Sequence, residues 1–137
     1  NVRLITESEY EYLATNHGKS LYPWGNTNPN NTLCNLNNIN DYCVNVDNYV
    51  NGNNIDNISQ LIGNVWEWCD EFIYPYNNFS IDPVYREMSY PYFGQKKICR
   101  GGCFCASEFL INSKYRNAQL PDCRVQFIGF RVCLKSI

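Results

Sequence analysis

The carboxylate of Glu67 is the group in this sequence that most needs a chemical partner. It lies between Trp66 and Trp68 in the segment Gly63-Asn64-Val65-Trp66-Glu67-Trp68. An unpaired carboxylate in such apolar surroundings is costly to bury. We therefore expect Glu67 to have a partner of opposite charge, and a salt bridge to an arginine such as Arg100 or Arg131 would provide one.

Thiols are the second kind of group that could do chemistry here. The chain has eight cysteines, and none are spaced as a Cys-x-x-Cys pair, so the spacing does not support a zinc site. So many cysteines in a short chain are typical of a secreted disulfide framework. Their irregular spacing also fits buried free thiols, which pack as small apolar groups. Both interpretations stay open, although we expect Cys103 to serve in packing.

Imidazoles are too few to build a metal site from this chain alone. The single histidine, His17, lies in a polar Asn-His-Gly segment, where we expect it to be exposed to solvent. A site with three histidine ligands therefore cannot be formed within these residues. We expect no iron ligand in this chain.

Several segments resemble, in the same order along the chain, the formylglycine-generating enzyme (sulfatase-modifying factor) domain. They are residues 3–12 (Arg-Leu-Ile-Thr-Glu-Ser-Glu-Tyr-Glu-Tyr), Tyr22-Pro23-Trp24-Gly25, residues 63–68, Arg100-Gly101-Gly102 and Gly129-Phe130-Arg131. The resemblance implies an α+β, C-type-lectin-like fold with short irregular strands and few helices. It also implies that residues 1–137 are a single domain, and that they are its C-terminal part.

Within that family, the segments after residue 73 are most similar to the C-terminal domain of ergothioneine and selenoneine synthases. These segments are residues 74–76, 82–87, 90–93, 100–104 and 115–122. The resemblance implies the substrate-side domain of a non-haem iron enzyme, which joins a thiol or selenol donor to a histidine derivative and forms a C–S or C–Se bond. Fe(II) would be bound by an upstream helical domain. The alternative is a non-catalytic, C-type-lectin-like binding module or a degenerate copy of the family.

The resemblance also implies a calcium site. Its ligands would be the backbone oxygens of Gly63 and Val65 and the carboxylate of Glu67, whereas Gln60 stands where the family has an Asn or Asp. Calcium prefers roughly six to eight oxygen ligands, so we expect the longer amide of Gln60 to weaken the site. Asn35 matches a further calcium-binding residue of the family, within the Asn-rich stretch.

The substrate-binding residues implied by the resemblance lie between 116 and 124. We predict that Arg116, Gln119 and Arg124 contact substrate, and a carboxylate is the group that Arg124 would bind through its two-pronged guanidinium. A structural ion pair of Arg124 is the alternative. Ala118 stands where the family has an aromatic residue and Cys123 where it has an arginine, so the expected chemistry is lost at these two positions. Tyr85 lies near the place of the family's catalytic tyrosine, a proton donor.

Formylglycine synthesis itself is not expected. In the family it uses two cysteines beyond the Gly-Gly turn that bind copper(I), a soft metal suited to sulfur. Cys103 and Cys105 are too close together in the sequence for that arrangement, and Ile111 occupies the place of the second cysteine.

The elements that must position these residues are short. Thr6 and Glu9 form a capping-box pattern, which predicts a helix over 6–15 with Tyr10 on its apolar face. Strands are predicted over 62–68, 97–105 and 126–134, the second bent at its two glycines, and Trp66 and Trp68 should share one face of the first. Residues 25–60 are predicted to be a loop region rich in Asn. Prolines make residues 72–94 an aromatic excursion without a long helix or central strand.

Composition excludes several classes of partner. The net charge is −2 and no run of Lys and Arg occurs, which argues against binding to nucleic acid or to an anionic membrane surface. The apolar stretches are shorter than the about 20 residues needed to cross a bilayer. Through the resemblance we expect a cytoplasmic protein, and one in which this chain begins partway along.

Overall fold

The computed structural model describes residues 1–86 and 90–134. Over these residues the elements are β1 (Val2–Leu4), helix α1 (Glu7–Ala14), a single 3-10 turn (Val50–Gly52), β2 (Trp66–Phe72), β3 (Lys97–Arg100), β4 (Asn117–Gln119), β5 (Ile128–Phe130) and β6 (Val132–Leu134). Four strands form one sheet in the order β4-β3-β2-β5, and β1 pairs with β6 in a second sheet. The molecule is therefore α+β with short strands, as the sequence predicts.

Helix α1 begins where its capping residues predict. The Thr6 hydroxyl accepts a hydrogen bond from the backbone of Glu9 at 3.2 Å, and the Glu9 carboxylate accepts one from the backbone of Thr6 at 2.9 Å. Each side chain thus satisfies a backbone N–H that the helix leaves free at its start. Tyr10 and Ala14 are buried on the same face. The burial of Tyr10 and Ala14 holds helix α1 against the sheet.

Strand β2 does not begin where its apolar alternation predicts. The prediction over 62–68 is wrong at its start, because β2 runs over Trp66–Phe72. Gly63 and Asn64 have left-handed backbones, with φ of 82° and 67°, which no strand accommodates. A Cβ on Gly63 would lie 2.4 Å from the Asn35 carbonyl oxygen, so only glycine allows this close approach.

The predicted facial alternation of β2 is confirmed. Trp66 and the partly buried Trp68 pack on a core cluster that contains Cys34, whereas Cys69 packs on a second cluster that contains Tyr10. Strand β2 therefore separates two small cores. Each face of the strand belongs to one of them.

Two other predicted strands are shorter than expected. Strand β3 stops at Arg100 because Gly101 and Gly102 are left-handed, with φ of 91° and 84°. The last strand is divided at Arg131, since β5 pairs in parallel with β2 while β6 pairs antiparallel with β1. The chain thus changes sheets at Arg131.

The Asn-rich and aromatic segments are irregular, as predicted. Residues 25–60 contain one 3-10 turn and no strand. The described part of 72–94 likewise contains no strand beyond the end of β2 at Phe72. Glu87, the last residue of the 82–87 segment, lies outside the described residues. Backbone hydrogen bonds outside regular elements attach both segments to the domain, such as those from Asn38 to the Phe104 carbonyl and from Ile73 to the Lys96 carbonyl, each at 2.8 Å.

Candidate functional site

A cavity lies between the aromatic excursion and strand β4. Its volume is about 220 Å³, and its walls include Tyr92, Phe93, Lys96, Tyr115, Arg116 and Gln119. The excursion contributes the first residues of this set, and the predicted substrate segment contributes Arg116 and Gln119. The structure thus brings together two segments that are separated in the sequence. The lining combines aromatic and polar side chains, and concave sites that combine such groups bind small molecules.

Lys96 supplies the cavity with a positive charge. Its ammonium lies 3.7 Å from the centre of the Tyr92 ring, an electrostatically favourable contact. The neighbouring Lys97 instead forms a salt bridge of 3.6 Å with Asp70. Within the described part of the chain, no carboxylate forms a salt bridge with Lys96. No motif of the sequence contains Lys96, and the signal that could have indicated it is its position between the excursion and β3.

Arg116 lines the cavity, but its guanidinium is already paired. Its Nε and Nη2 atoms donate to the two oxygens of Glu7 at 2.7 and 2.8 Å. The guanidinium also lies 4.2 Å from the centre of the Tyr76 ring and donates to the Tyr74 carbonyl at 3.2 Å. A substrate carboxylate would therefore compete with Glu7 for this side chain.

Glu7 connects Arg116 to a fully buried arginine. The side chain of Arg100 has no exposed surface, and it lies 2.7 Å from Glu7 and 2.8 Å from Glu11. It also donates to the carbonyl of Ser113 at 2.7 Å. This network joins α1, β3 and the loop before β4 at the back of the cavity. Its role is to position these elements.

Of the remaining predicted site residues, only some line the cavity. Gln119 lies in β4 and lines the cavity. Arg124 is exposed and forms no salt bridge with any residue of 1–86 or 90–134. Tyr85 is 62% exposed. Neither Arg124 nor Tyr85 is among the residues that line the cavity, so the structure does not gather the whole predicted set.

Glu67 has the arginine partner that its burial requires, and that partner is Arg131. Arg131 Nη2 donates to one oxygen of Glu67 at 2.6 Å and Nε donates to the other. Nη2 also contacts the carbonyl of Ser59 at 3.2 Å. Burial works against the charge of Arg131, but the hydrogen bonds and charge of Glu67 outweigh it and raise the pKa of Arg131. The expected salt bridge is confirmed for Arg131, whereas Arg100 binds Glu7 and Glu11.

The predicted calcium ligands surround a second cavity of about 270 Å³, lined by Gln60, Gly63, Val65, Glu67 and Arg131 among others. The side-chain oxygen of Gln60 is buried there without a hydrogen-bond partner. However, both oxygens of Glu67 accept from Arg131, so the carboxylate is already neutralised. A guanidinium beside the same oxygens would repel a divalent cation. Because Arg131 occupies the carboxylate of Glu67, these residues do not form a calcium site in this structure.

Asn35 is also engaged by other protein groups. Its side-chain oxygen accepts from Asn40 at 3.1 Å, and its carbonyl accepts from the backbone of Asn64 at 2.9 Å. Asn35 is fully buried. In this structure it holds the Asn-rich loop against the turn that precedes β2.

Thiols and the imidazole form no metal cluster in the described residues, where no group of three or more His, Cys, Asp or Glu side chains could hold an ion. All eight cysteines are free thiols, and Cys34, Cys69, Cys99 and Cys103 are buried. His17 is half-buried rather than exposed as predicted, since its Nε2 lies 2.5 Å from Asp56 and its ring stacks on Tyr12. The buried thiols favour the packing interpretation.

The geometry defines a small α+β domain in which loops and the edges of short strands together form the cavities. A family model described as "Sulfatase-modifying factor enzyme 1-like domain" matches residues 1–136. The chain belongs to this family.

Its curated relatives include proteins named hercynine oxygenase. That of Mycobacterium tuberculosis is 30% identical over 135 residues, which cover 95% of this chain and 32% of the relative. That of Mycolicibacterium thermoresistibile is 30% identical over 140 residues, covering 95% of this chain and 31% of the relative. The chain therefore spans about a third of the length of the relatives it matches.

Solved structures support the fold. PvdO from Pseudomonas aeruginosa has a TM-score of 0.71 at 20% identity, with 96% of this chain and 51% of that one covered. Treponema denticola variable protein 1 has a TM-score of 0.69 at 21% identity, with 96% and 46% covered. These likenesses confirm the predicted C-type-lectin-like, sulfatase-modifying-factor fold. No helix within the described residues has the length and apolar character needed to cross a bilayer.

Proposed function

We propose that this chain is the substrate-side domain of an ergothioneine- or selenoneine-synthase-like enzyme that forms a C–S or C–Se bond to a histidine derivative. The observation that carries the proposal is the cavity between the excursion and β4, because it unites the two segments implicated in substrate binding. Relatives named hercynine oxygenase add support over this part of their length.

The cavity suits a small molecule with an aromatic or apolar body and an anionic end. Tyr92, Phe93 and Tyr115 provide aromatic surface, and Lys96 provides a cation next to it. Gln119 adds an amide that can donate or accept a hydrogen bond. We propose that Lys96 binds a substrate carboxylate here, because Arg116 is occupied by Glu7.

Iron, in this proposal, is bound by histidines outside these residues, in an upstream helical domain. The metal would supply the oxidative chemistry. The residues of this chain would bind and orient the substrate and limit the access of water. Arg124 as a ligand of a substrate carboxylate and Tyr85 as a proton donor stay predictions of the family resemblance, since neither residue lines the cavity. Calcium is not part of the proposal, because Arg131 occupies both carboxylate oxygens of Glu67.

A non-catalytic binding module is the second candidate. It is favoured by Ala118, which replaces the family's aromatic residue, by Cys123, which replaces an arginine, and by the pairing of Arg116 with Glu7. The two candidates predict the same cavity. They differ in whether iron and product formation accompany ligand binding.

One experiment separates the candidates. The full-length protein that contains this chain is purified without oxygen, its iron and calcium are measured by elemental analysis, and trimethylhistidine is added with a thiol or selenol donor and oxygen. Iron together with a C–S or C–Se product, detected by mass spectrometry, is the expected result. Binding of trimethylhistidine without iron or product would indicate the binding module, and the absence of binding would contradict both.

A further inference from the structure

Two cysteines beyond the Gly101-Gly102 turn are in direct contact. The sulfur atoms of Cys103 and Cys105 lie 3.3 Å apart. Cys103 is 4% exposed and packs in the core cluster, whereas Cys105 is exposed. Cys105 is thus accessible to solvent, and the sulfur of the buried Cys103 is in contact with the sulfur of Cys105.

The backbone keeps the two sulfurs together. The amide of Ala106 donates to the carbonyl of Cys103 at 2.9 Å, which closes a tight turn around Cys105. The backbone carbonyl of Phe104 accepts a hydrogen bond from the backbone N–H of Asn38. The backbone N–H of Phe104 donates one to the carbonyl of Asn64 at 2.9 Å. Because both sides of the turn are anchored to the body of the domain, the contact between the thiols is built into the fold.

A disulfide needs the sulfurs to approach to about 2.05 Å. Rotation about the side-chain bonds provides most of that approach, since the atoms already touch. Only Phe104 separates Cys103 from Cys105 in the sequence. A disulfide between them would therefore be strained and more easily reduced than a structural disulfide. A cysteine pair of this kind alternates between the dithiol and the disulfide and is not a permanent structural cross-link.

The two thiols differ in a way that assigns their roles. Burial, together with the contact with Cys105, raises the pKa of Cys103 to about 11. The buried sulfur therefore stays protonated at neutral pH, and the exposed sulfur of Cys105 is the one that a molecule in solution can reach. Attack on a disulfide requires access and a thiolate.

We propose that Cys103 and Cys105 are a redox-active dithiol that reacts with small disulfide molecules, with Cys105 as the attacking sulfur and Cys103 as the resolving sulfur. The Cys105 thiolate attacks one sulfur of the disulfide, which releases one thiolate and leaves a mixed disulfide. The released thiolate takes the proton of Cys103, and the Cys103 thiolate formed in this way attacks Cys105 Sγ. The bond between Cys105 Sγ and the bound half of the small disulfide breaks, that half leaves as a second thiolate and takes up a proton from solvent, and the Cys103–Cys105 bond remains. The small disulfide is reduced to two thiols, and the protein dithiol is oxidised.

The test uses the full-length protein and oxidised glutathione as the probe. After reaction, free thiols are trapped at acidic pH, alkylated and mapped by mass spectrometry. Trypsin would release residues 101–114 as one peptide that contains Cys103, Cys105 and no other cysteine. We expect this peptide to lose two hydrogens and to carry no glutathione. In Cys103→Ala the same peptide should accumulate a glutathione adduct, about tenfold above wild type, because no resolving thiol is present.

Two controls guard the interpretation. Cys105→Ser changes only an exposed side chain and should abolish both products in this peptide, even if Cys103→Ala folds poorly. Cys43→Ser removes another exposed thiol and should leave the peptide's oxidation unchanged. The proposal is overturned if Cys103 and Cys105 both remain alkylatable while Cys43 is modified, or if wild type and Cys103→Ala carry equal adduct.

Discussion

At the scale of single residues, Arg131 has a double task. Its guanidinium neutralises the carboxylate of Glu67 and also contacts the carbonyls of Ser59 and Gln60. It stands at the point where the chain leaves β5 and enters β6. The side chain of Arg131 therefore connects the turn that precedes β2 to the junction between β5 and β6. A buried pair is strongly destabilising to break, because the remaining charge keeps its desolvation cost.

This pair gives the first prediction. Glu67→Gln keeps the shape of the side chain but leaves Arg131, whose side chain is only 20% exposed, without its counter-charge, so we expect the free energy of unfolding to fall by about 3 kcal/mol, the lower end of the range for buried pairs. Urea denaturation of both proteins measures the change. Asp70→Asn is the matched control, since Asp70 pairs with Lys97 at a side-chain exposure of 55% and should cost less than about 1 kcal/mol. Equal losses in the two variants would show that the Glu67 pair contributes no more than a surface contact.

At the scale of elements, the start of α1 depends on a charged cap. Glu9 closes the capping box and also binds Arg3 at 2.7 Å. The hydrogen bonds from Arg3 and from the backbone of Thr6 lower the pKa of Glu9 from 4.5 to about 2. A carboxyl with a lowered pKa stabilises the folded state above its unfolded pKa and loses that contribution as the pH falls through its folded pKa.

The second prediction follows from that sign. Glu9→Gln retains a side chain that can cap the helix but removes the charge, so wild type should be the more stable protein at neutral pH. The difference in the free energy of unfolding should be constant above about pH 5, shrink as the pH falls below 4.5 and vanish near 2. Thermal unfolding followed by circular dichroism across this range tests it. A difference that is independent of pH would show that the charge has no part in the cap.

Local sequence signals predict some elements of the fold and miss others for a physical reason. The capping residues locate α1, and the period-two pattern assigns the faces of β2, since both depend on neighbouring residues. The start of β2 and the end of β3 depend instead on the left-handed backbones of Gly63 and Gly101. Glycine occurs in strands and in turns alike, so the residue type alone does not reveal which backbone the tertiary structure selects.

At the scale of the whole molecule, long-range contacts decide which predicted site residues are free to act. The family resemblance assigns substrate contacts to Arg116 and Gln119, and the structure places both on a cavity that residues of the aromatic excursion complete. The sequence does not reveal that Glu7, 109 positions away, occupies Arg116. Nor does it reveal that Lys96 lacks such a partner within the described residues. Ion pairing between distant segments is set by the fold, whereas motifs report only residue type.

The last prediction concerns whether the cavity acts as a unit that binds a ligand through the ligand's carboxylate. In the full-length protein, Lys96→Met should raise the Kd for trimethylhistidine by at least about tenfold, because a hydrogen bond to a charged group contributes about 1.5–3 kcal/mol and about 1.4 kcal/mol corresponds to a factor of ten in Kd. Lys97→Met is the control, since Lys97 pairs with Asp70 and does not line the cavity. The carboxamide of the ligand should bind wild type and Lys96→Met equally, because the charge that Lys96 recognises is gone. Hydrogen exchange should show ligand protection in residues 90–96 and 115–119 together. Protection of only one segment, or an equal loss of affinity in the two lysine variants, would contradict the assignment of the cavity.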